Sequence, residues 1–163
     1  GPISNIYKIK LDPKDNAEEI SKKLSFLAAQ NILNDIEDIL ENKAKFIDQD
    51  HSKASYAKKI EKTEGQINWN DKAFKIIGRI NGLFSVPGAF FYFRGERYKI
   101  LKAEIGNGVG QVGEVLSNKL EIACANNQSI KILEIQRQGK KTQKIQEFML
   151  GSNIKKGSII FYA

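Results

Sequence analysis

The chain has 163 residues, 41% of them apolar, enough for one moderate domain or a small domain with an appendage. One cysteine excludes an internal disulfide and a multi-cysteine zinc site and fits a reducing compartment, and no apolar run approaches the ~18 residues of a membrane helix. The net charge of +7 divides into −3 over residues 1–50 and +10 over residues 51–163, the distribution of a polyanion-binding surface beside a neutral or acidic attachment.

In chain order, Ile6 to Leu11 predicts a short strand with alternating Lys8 and Lys10, turned by Asp12-Pro13. Asn16 with Glu19 three residues on predicts a capping box. The helix it opens carries the apolar stripe Ile20, Leu24, Leu27, Ala28, Ile32, Ile36, Ile39 and Leu40. One strand and one helix cannot bury such a stripe, so a partner outside this segment is expected. Glu18-Glu19 and the acids from Asp35 to Asp38 read as a cap and a solvated face. His51, in the polar run from Asp48 to Lys53, reads as a loop histidine, and no Ser-His-Asp or Cys-His arrangement can be built on it. Cys124, among Ile122, Ala123 and Ala125, reads as a small buried apolar residue.

From Ala54 to Gly88 the chain joins this helical piece to a strand-rich half. Ser55 is expected to cap a short basic helix of Tyr56 to Ile60, with Gly65 as its end. Ile67 to Trp69 reads as extended, and Asn70 as the cap of a second helix. There Ala73, Phe74, Ile76, Ile77, Ile80 and Leu83 recur at helical spacing, with Lys72, Lys75 and Arg79 opposite and Pro87-Gly88 as the stop.

After Gly88 the period becomes strand-like. Ala89–Phe93 and Arg97–Ile105 predict a hairpin, and Gly113–Leu116, Lys119–Ala125 and Gln128–Gln136 three more strands, with tight turns at Ser117-Asn118 and Asn126-Asn127. Ile145–Leu150 predicts a short helix closed by Gly151, and Ile159–Tyr162 a last strand. The expected architecture is α+β, mostly β: a compact OB-like barrel preceded by short helices. Gly108-Val109-Gly110-Gln111-Val112-Gly113 matches G-x-G-x-x-G, but no helix is predicted after it to meet a phosphate, so a loop between strands is expected. Of Phe90, Phe91, Tyr92 and Phe93 about half must point outward, to be covered by linker or helix residues rather than left to stack bases.

Two stretches resemble a known family. Tyr56, Ala57, Lys59, Ile60, Glu64, Gly65, Ile67, Asn68, Trp69, Ala73, Arg79, Ile80, Pro87, Gly88 and Ala89 match the linker and domain entry of the methionyl-tRNA formyltransferase family. Gln136, Gly139, Lys140, Lys141, Glu147, Phe148 and Gly151 match a later stretch of its C-terminal domain. Leu83, Phe84, Ser85 and Val86 depart from the family's Phe-Asn-Pro-Trp corner, and Gln143 or Lys144 stands where it usually has Met. Residues 11–33 resemble the last strand-to-helix part of the family's Rossmann-like catalytic domain. The resemblance implies a catalytic-domain tail over 1–41, a linker over 42–86 and a C-terminal OB-like barrel over 87–163.

It further implies a cytoplasmic protein, off the membrane, whose parent enzyme transfers a formyl group from formyl-tetrahydrofolate to initiator methionyl-tRNA in translation initiation. The family's folate loop, Asn-x-His and Asp elements lie upstream of the matched residues, so this chain is expected to be inactive alone, with no catalytic, cofactor-binding or metal residue. Its expected partners are tRNA and the N-terminal catalytic domain. Candidate tRNA contacts are Lys58, Lys59, Lys62, Arg79, Arg137, Lys140, Lys141 and Lys144, taken together as one groove. A free-standing nucleic-acid-binding barrel, or the C-terminal domain of another formyl-tetrahydrofolate-dependent formyltransferase, remains open as the alternative.

Overall fold

The computed structural model describes residues 1–162, which form two units, Gly1–Lys59 and a second beginning at Ile60.

In the first unit, α1 spans Ala17–Leu40 and opens with the predicted capping box: the Glu19 N–H donates to Asn16 Oδ1 at 3.0 Å and the Asn16 N–H to Glu19 Oε2 at 2.9 Å. Glu18 and Glu19 place negative charge at the helix's positive end. No residue of α1 is buried, and Leu24, Ile32, Ile36 and Ile39 of the stripe stay about half exposed. The strand expected at Ile6–Leu11 is absent. A strand needs a neighbour, and among the described residues Ile6–Leu11 has no ladder; the nearest pairing is the bridge between Ile3 and Ile47. Tyr7 instead donates its hydroxyl to Asp35 Oδ1 at 2.6 Å. Nor do Tyr56 to Ile60 form a helix: five residues cannot repay nucleation without a packed face, and Tyr56 is 98% exposed.

The second unit opens with a 3-10 turn, Lys62–Gly65. Next, α2 spans Ala73–Gly82, buries Ala73, Ile76 and Ile80, and leaves Phe74, displaced around the helix from that face, exposed. Asn70 is not its cap. Asn70 turns back to Asn68 Oδ1, and the Ala73 N–H is met by Gln128 Oε1 at 3.0 Å, from 55 residues along the chain.

The strands are β1 (Ala89–Phe93), β2 (Glu96–Ile105), β3 (Glu121–Cys124), β4 (Gln128–Arg137) and β5 (Thr142–Lys144), followed by α3 (Ile145–Leu150). All pair antiparallel in the order β1-β2-β4-β3. Strand β4 shares its second edge between β3 along Gln128 to Lys131 and β5 along Glu134 to Gln136. A register shift between Ile100 and Lys102 marks a bulge in β2, which bends the strand. Asn126 and Asn127 both take positive φ in the β3–β4 turn, as that sharp reversal requires. Strand β5 was not predicted. The strands expected at Gly113–Leu116 and Ile159–Tyr162 contract to the bridges Glu114–Ile159 and Val115–Ile122, because positive-φ Gly113 interrupts the extended backbone. The ladders do not close β1 onto β3 among the described residues, so the sheet is open.

The core lies between the sheet and α2. Trp69 meets Phe91 edge-on (centroids 5.9 Å), Phe91 stacks on Tyr98 (5.4 Å), and Tyr98 meets Phe148 of α3 edge-on (5.8 Å). Each large side chain so buried contributes roughly 1.5–3 kcal/mol of transfer free energy. Phe90 points outward yet is covered, with the Arg97 guanidinium 5.4 Å over its ring, and only Tyr92 of the aromatic run stays partly open. No helix among the described residues is long and apolar enough to cross a membrane.

Candidate nucleic-acid interface

Strand β4 ends at Arg137, and the chain reverses through Gly139 at φ +71° into β5. Three hydrogen bonds fix this reversal: Lys140 N–H to the Arg137 carbonyl at 3.0 Å, Gln138 N–H to the Arg97 carbonyl at 2.9 Å, and Gln136 Nε2 to the Lys140 carbonyl at 2.9 Å. Lys140 and Lys141 therefore stand exposed on a pinned turn, their ammonium groups in solvent.

Beside the turn is an open cleft of about 550 Å³, lined by Tyr98, Arg137, Lys140, Lys141 and Thr142, with Glu147, Phe148 and Asn153 on the α3 side. Arg137 pairs there with Glu96, whose other carboxylate oxygen accepts the Tyr98 hydroxyl at 2.7 Å. The Arg137 guanidinium, with the Tyr98 hydroxyl, holds the Glu96 carboxyl below the usual range. Burial, then the bond to Glu96, pushes the Tyr98 phenol up to about 12. Two lysines and an arginine around a solvent-open hollow suit phosphate oxygens, which accept charge-assisted hydrogen bonds from such side chains.

The family model described as formyl transferase, C-terminal domain, matches residues 59–153. The chain belongs to this family. It is 62% identical over 160 residues to the methionyl-tRNA formyltransferase of Pelagibacter ubique, covering 98% of this chain and 52% of that protein. It is 36% identical to the methionyl-tRNA formyltransferase of Rickettsia massiliae, covering 92% and 49%. It thus spans about half the length of these curated relatives. Among solved structures it is similar to WlaRD, a sugar 3N-formyl transferase (TM-score 0.64, 21% identity, 86% of this chain and 51% of that one). It is also similar to a variant of HypX from Aquifex aeolicus (TM-score 0.65, 16% identity, 95% and 31%). At these identities the likeness is one of fold.

Within this formyl transferase C-terminal domain, Arg137, Lys140 and Lys141 meet at one cleft, and the other predicted contacts do not join them. Lys144 sits outside the lining, paired in register with Glu134. Arg79 is engaged by backbone, its Nη1 donating to the carbonyls of Glu64 and Gln66 and so tying the 3-10 turn to α2. Lys62 borders a separate hollow with Val86, Pro87, Phe90 and Arg97. Lys58 and Lys59 belong to the first unit and are exposed. Sequence reasoning missed Glu96 and Tyr98. The alternation of β2 signals only that Tyr98 turns into the core; its place opposite Arg137 comes from the register of β2 on β4.

The glycine-rich stretch is a loop, as expected, with no helix after it. His51 is exposed in a 3-10 turn, Cys124 is buried, which pushes its thiol up, and no metal-ligating cluster occurs among the described residues.

Proposed function

We propose that this chain is the C-terminal, tRNA-binding part of a cytoplasmic methionyl-tRNA formyltransferase. It holds initiator methionyl-tRNA while a preceding catalytic domain formylates the methionyl amino group from formyl-tetrahydrofolate. The observation that carries this reading is the cleft of Arg137, Lys140 and Lys141 on a pinned turn of a formyl transferase C-terminal domain. The uncovered stripe of α1 supports it from the other end, as the tail (1–41) of that catalytic domain, joined by a linker (42–86) to an OB-like C-terminal domain (87–163). The chain's own residues bind and orient. Cations on the turn engage backbone phosphates, which set the position of the RNA and carry no sequence information. Lys62, Arg79 and Lys144 carry further positive charge in the second unit outside the cleft, and Lys58 and Lys59 carry it in the first unit.

The test is a titration of tRNA against the chain across potassium chloride concentrations. Affinity is expected to fall steeply with salt, each phosphate contact adding roughly 0.7–0.9 to the log-log slope, and Lys140→Ala with Lys141→Ala to lower that slope by one or two contacts. A slope the double variant leaves unchanged removes the turn from the site, and no binding at low salt overturns the reading.

A further inference from the structure

The cleft contains a chemical oddity. A site for phosphate gains nothing electrostatically from a carboxylate, yet Glu96 pairs directly with Arg137, the cation best suited to a bidentate phosphate contact. Glu96 is not itself among the residues that line the cleft and reaches it through Arg137 and Tyr98, whereas another carboxylate, Glu147, lines it with no hydrogen-bond or ion-pair partner among the described residues. The two differ in how they are held.

Glu96 is fixed from behind. Its Oε2 accepts the Tyr98 hydroxyl at 2.7 Å, and Tyr98 is immobilised between the stacked ring of Phe91 and the edge-on ring of Phe148. Its other oxygen takes one N–H of Arg137, so a guanidinium on the long side chain at the end of β4 is tied to the aromatic core through a single carboxylate. Arg137 has five N–H donors, and the bond to Glu96 leaves others for a ligand in the cleft. The lysine side of the cleft is also fixed, by Gln136 on the Lys140 carbonyl. Both walls are therefore held before any ligand arrives, which lowers the ordering cost of binding.

We propose that Glu96 is a positioning residue for phosphodiester recognition: clamped by Tyr98, it orients the Arg137 guanidinium to receive an RNA backbone phosphate between β2 and the Lys140-Lys141 turn. The proposal rests on the reading of this cleft as an RNA phosphate site, and it predicts a sign that simple charge does not. Glu96→Gln makes the cleft more positive, so a charge-only cleft binds RNA more tightly. If Glu96 positions Arg137, the same change releases the guanidinium and weakens binding.

The experiment measures binding of unfractionated tRNA to the 163-residue chain across potassium chloride concentrations, with melting curves for every variant. Glu96→Gln is expected to bind about ten-fold more weakly at low salt, the low end of the scale of one charge-assisted contact, with the slope lower by about 0.7–0.9. Tyr98→Phe leaves charge unchanged and is expected to weaken binding in the same direction by a smaller factor, without a matching loss of slope from the lysines. Glu147→Gln, the same charge change in the cleft lining without the clamp, is expected to tighten binding. A structural role alone moves melting temperature but not slope. Tighter binding by Glu96→Gln, or affinity unchanged in a folded Tyr98→Phe, overturns the positioning role. If Lys140→Ala with Lys141→Ala still lowers the slope in that case, the cleft remains an RNA site; if it does not, both readings fail together.

Discussion

Glu121 is tied to Gly108 across the glycine-rich loop, its Oε1 accepting the Gly108 N–H at 2.7 Å, together with the Asn107 N–H at 3.0 Å and the Ser129 hydroxyl at 2.7 Å. The loop's glycines are there for closeness: a Cβ on Gly106 would lie 2.3 Å from the same carboxylate oxygen. Glu121→Ala is expected to cost about 2 kcal/mol, the sum of bonds worth roughly 0.5–1.5 each with some rewetting, and Glu121→Gln less. Denaturant unfolding followed by Trp69 fluorescence measures both, Trp69 being the only Trp and buried in this unit. A dinucleotide is expected not to stabilise the protein.

Much of this unit was legible because its signals are local. The strands β1, β2 and β4, the Asn126-Asn127 turn and α3 follow from alternation and turn chemistry. What was not legible depends on distant partners. The cap of α2 comes from Gln128, and β5 exists only because the free half of β4's second edge accepts it. At the site, the Gly139-Lys140-Lys141 turn could be read from sequence. The Glu96–Tyr98–Arg137 link could not, since it needs the register of two strands about 40 residues apart.

Gly113 and Gly139 both take positive φ, at +83° and +71°, yet their substitutions should differ. A Cβ at Gly113 would sit 2.4 Å from the Ile160 carbonyl oxygen, and the Ile160 N–H bonds back to the Gly113 carbonyl at 2.9 Å, so the backbone there has no room to shift. At Gly139 nothing lies within 4 Å. Thermal melting is expected to show Gly139→Ala costing about 1 kcal/mol from φ alone, and Gly113→Ala about 3 kcal/mol or more from strain and clash combined. Equal costs would mean that contact with Ile160 contributes nothing.

The α1 stripe makes a prediction about dynamics. With no buried residue, α1 depends on its capping box and internal hydrogen bonds, so its amides are expected to exchange well before those of β4, which pairs along both edges. Hydrogen-exchange mass spectrometry of the chain alone reads this directly. Protection of Leu24 to Ile39 equal to that of Ile130 to Ile135 would contradict an unpartnered helix.

Activity offers a separate check. The chain by itself is expected to transfer no formyl group from formyl-tetrahydrofolate to methionyl-tRNA, whereas a protein in which it is preceded by the catalytic half of a relative should do so. Turnover above blank by the isolated chain would refute the assignment of chemistry to the other half.

Acid should destabilise the second unit through Glu121. Burial pushes the Glu121 carboxyl up, but hydrogen bonds from Ser129, Gly108 and Asn107 and the charge of Lys131 together leave it below the usual value. A carboxyl whose folded pKa lies below its unfolded value, about 4.3 for Glu, stabilises the fold fully above that unfolded value and ceases to do so as pH falls through the folded one. Unfolding free energy is therefore expected to be level from pH 7 to about 5 and to decline below about 4.3. Glu96 shifts in the same direction through Arg137 and Tyr98, but it is solvent-exposed and screened, so it contributes little to that decline. Glu121→Gln, which cannot titrate, should be less stable than the parent at pH 7 and lose less between pH 5 and 3, so that the two curves converge. Parallel curves would place the acid sensitivity elsewhere in the fold.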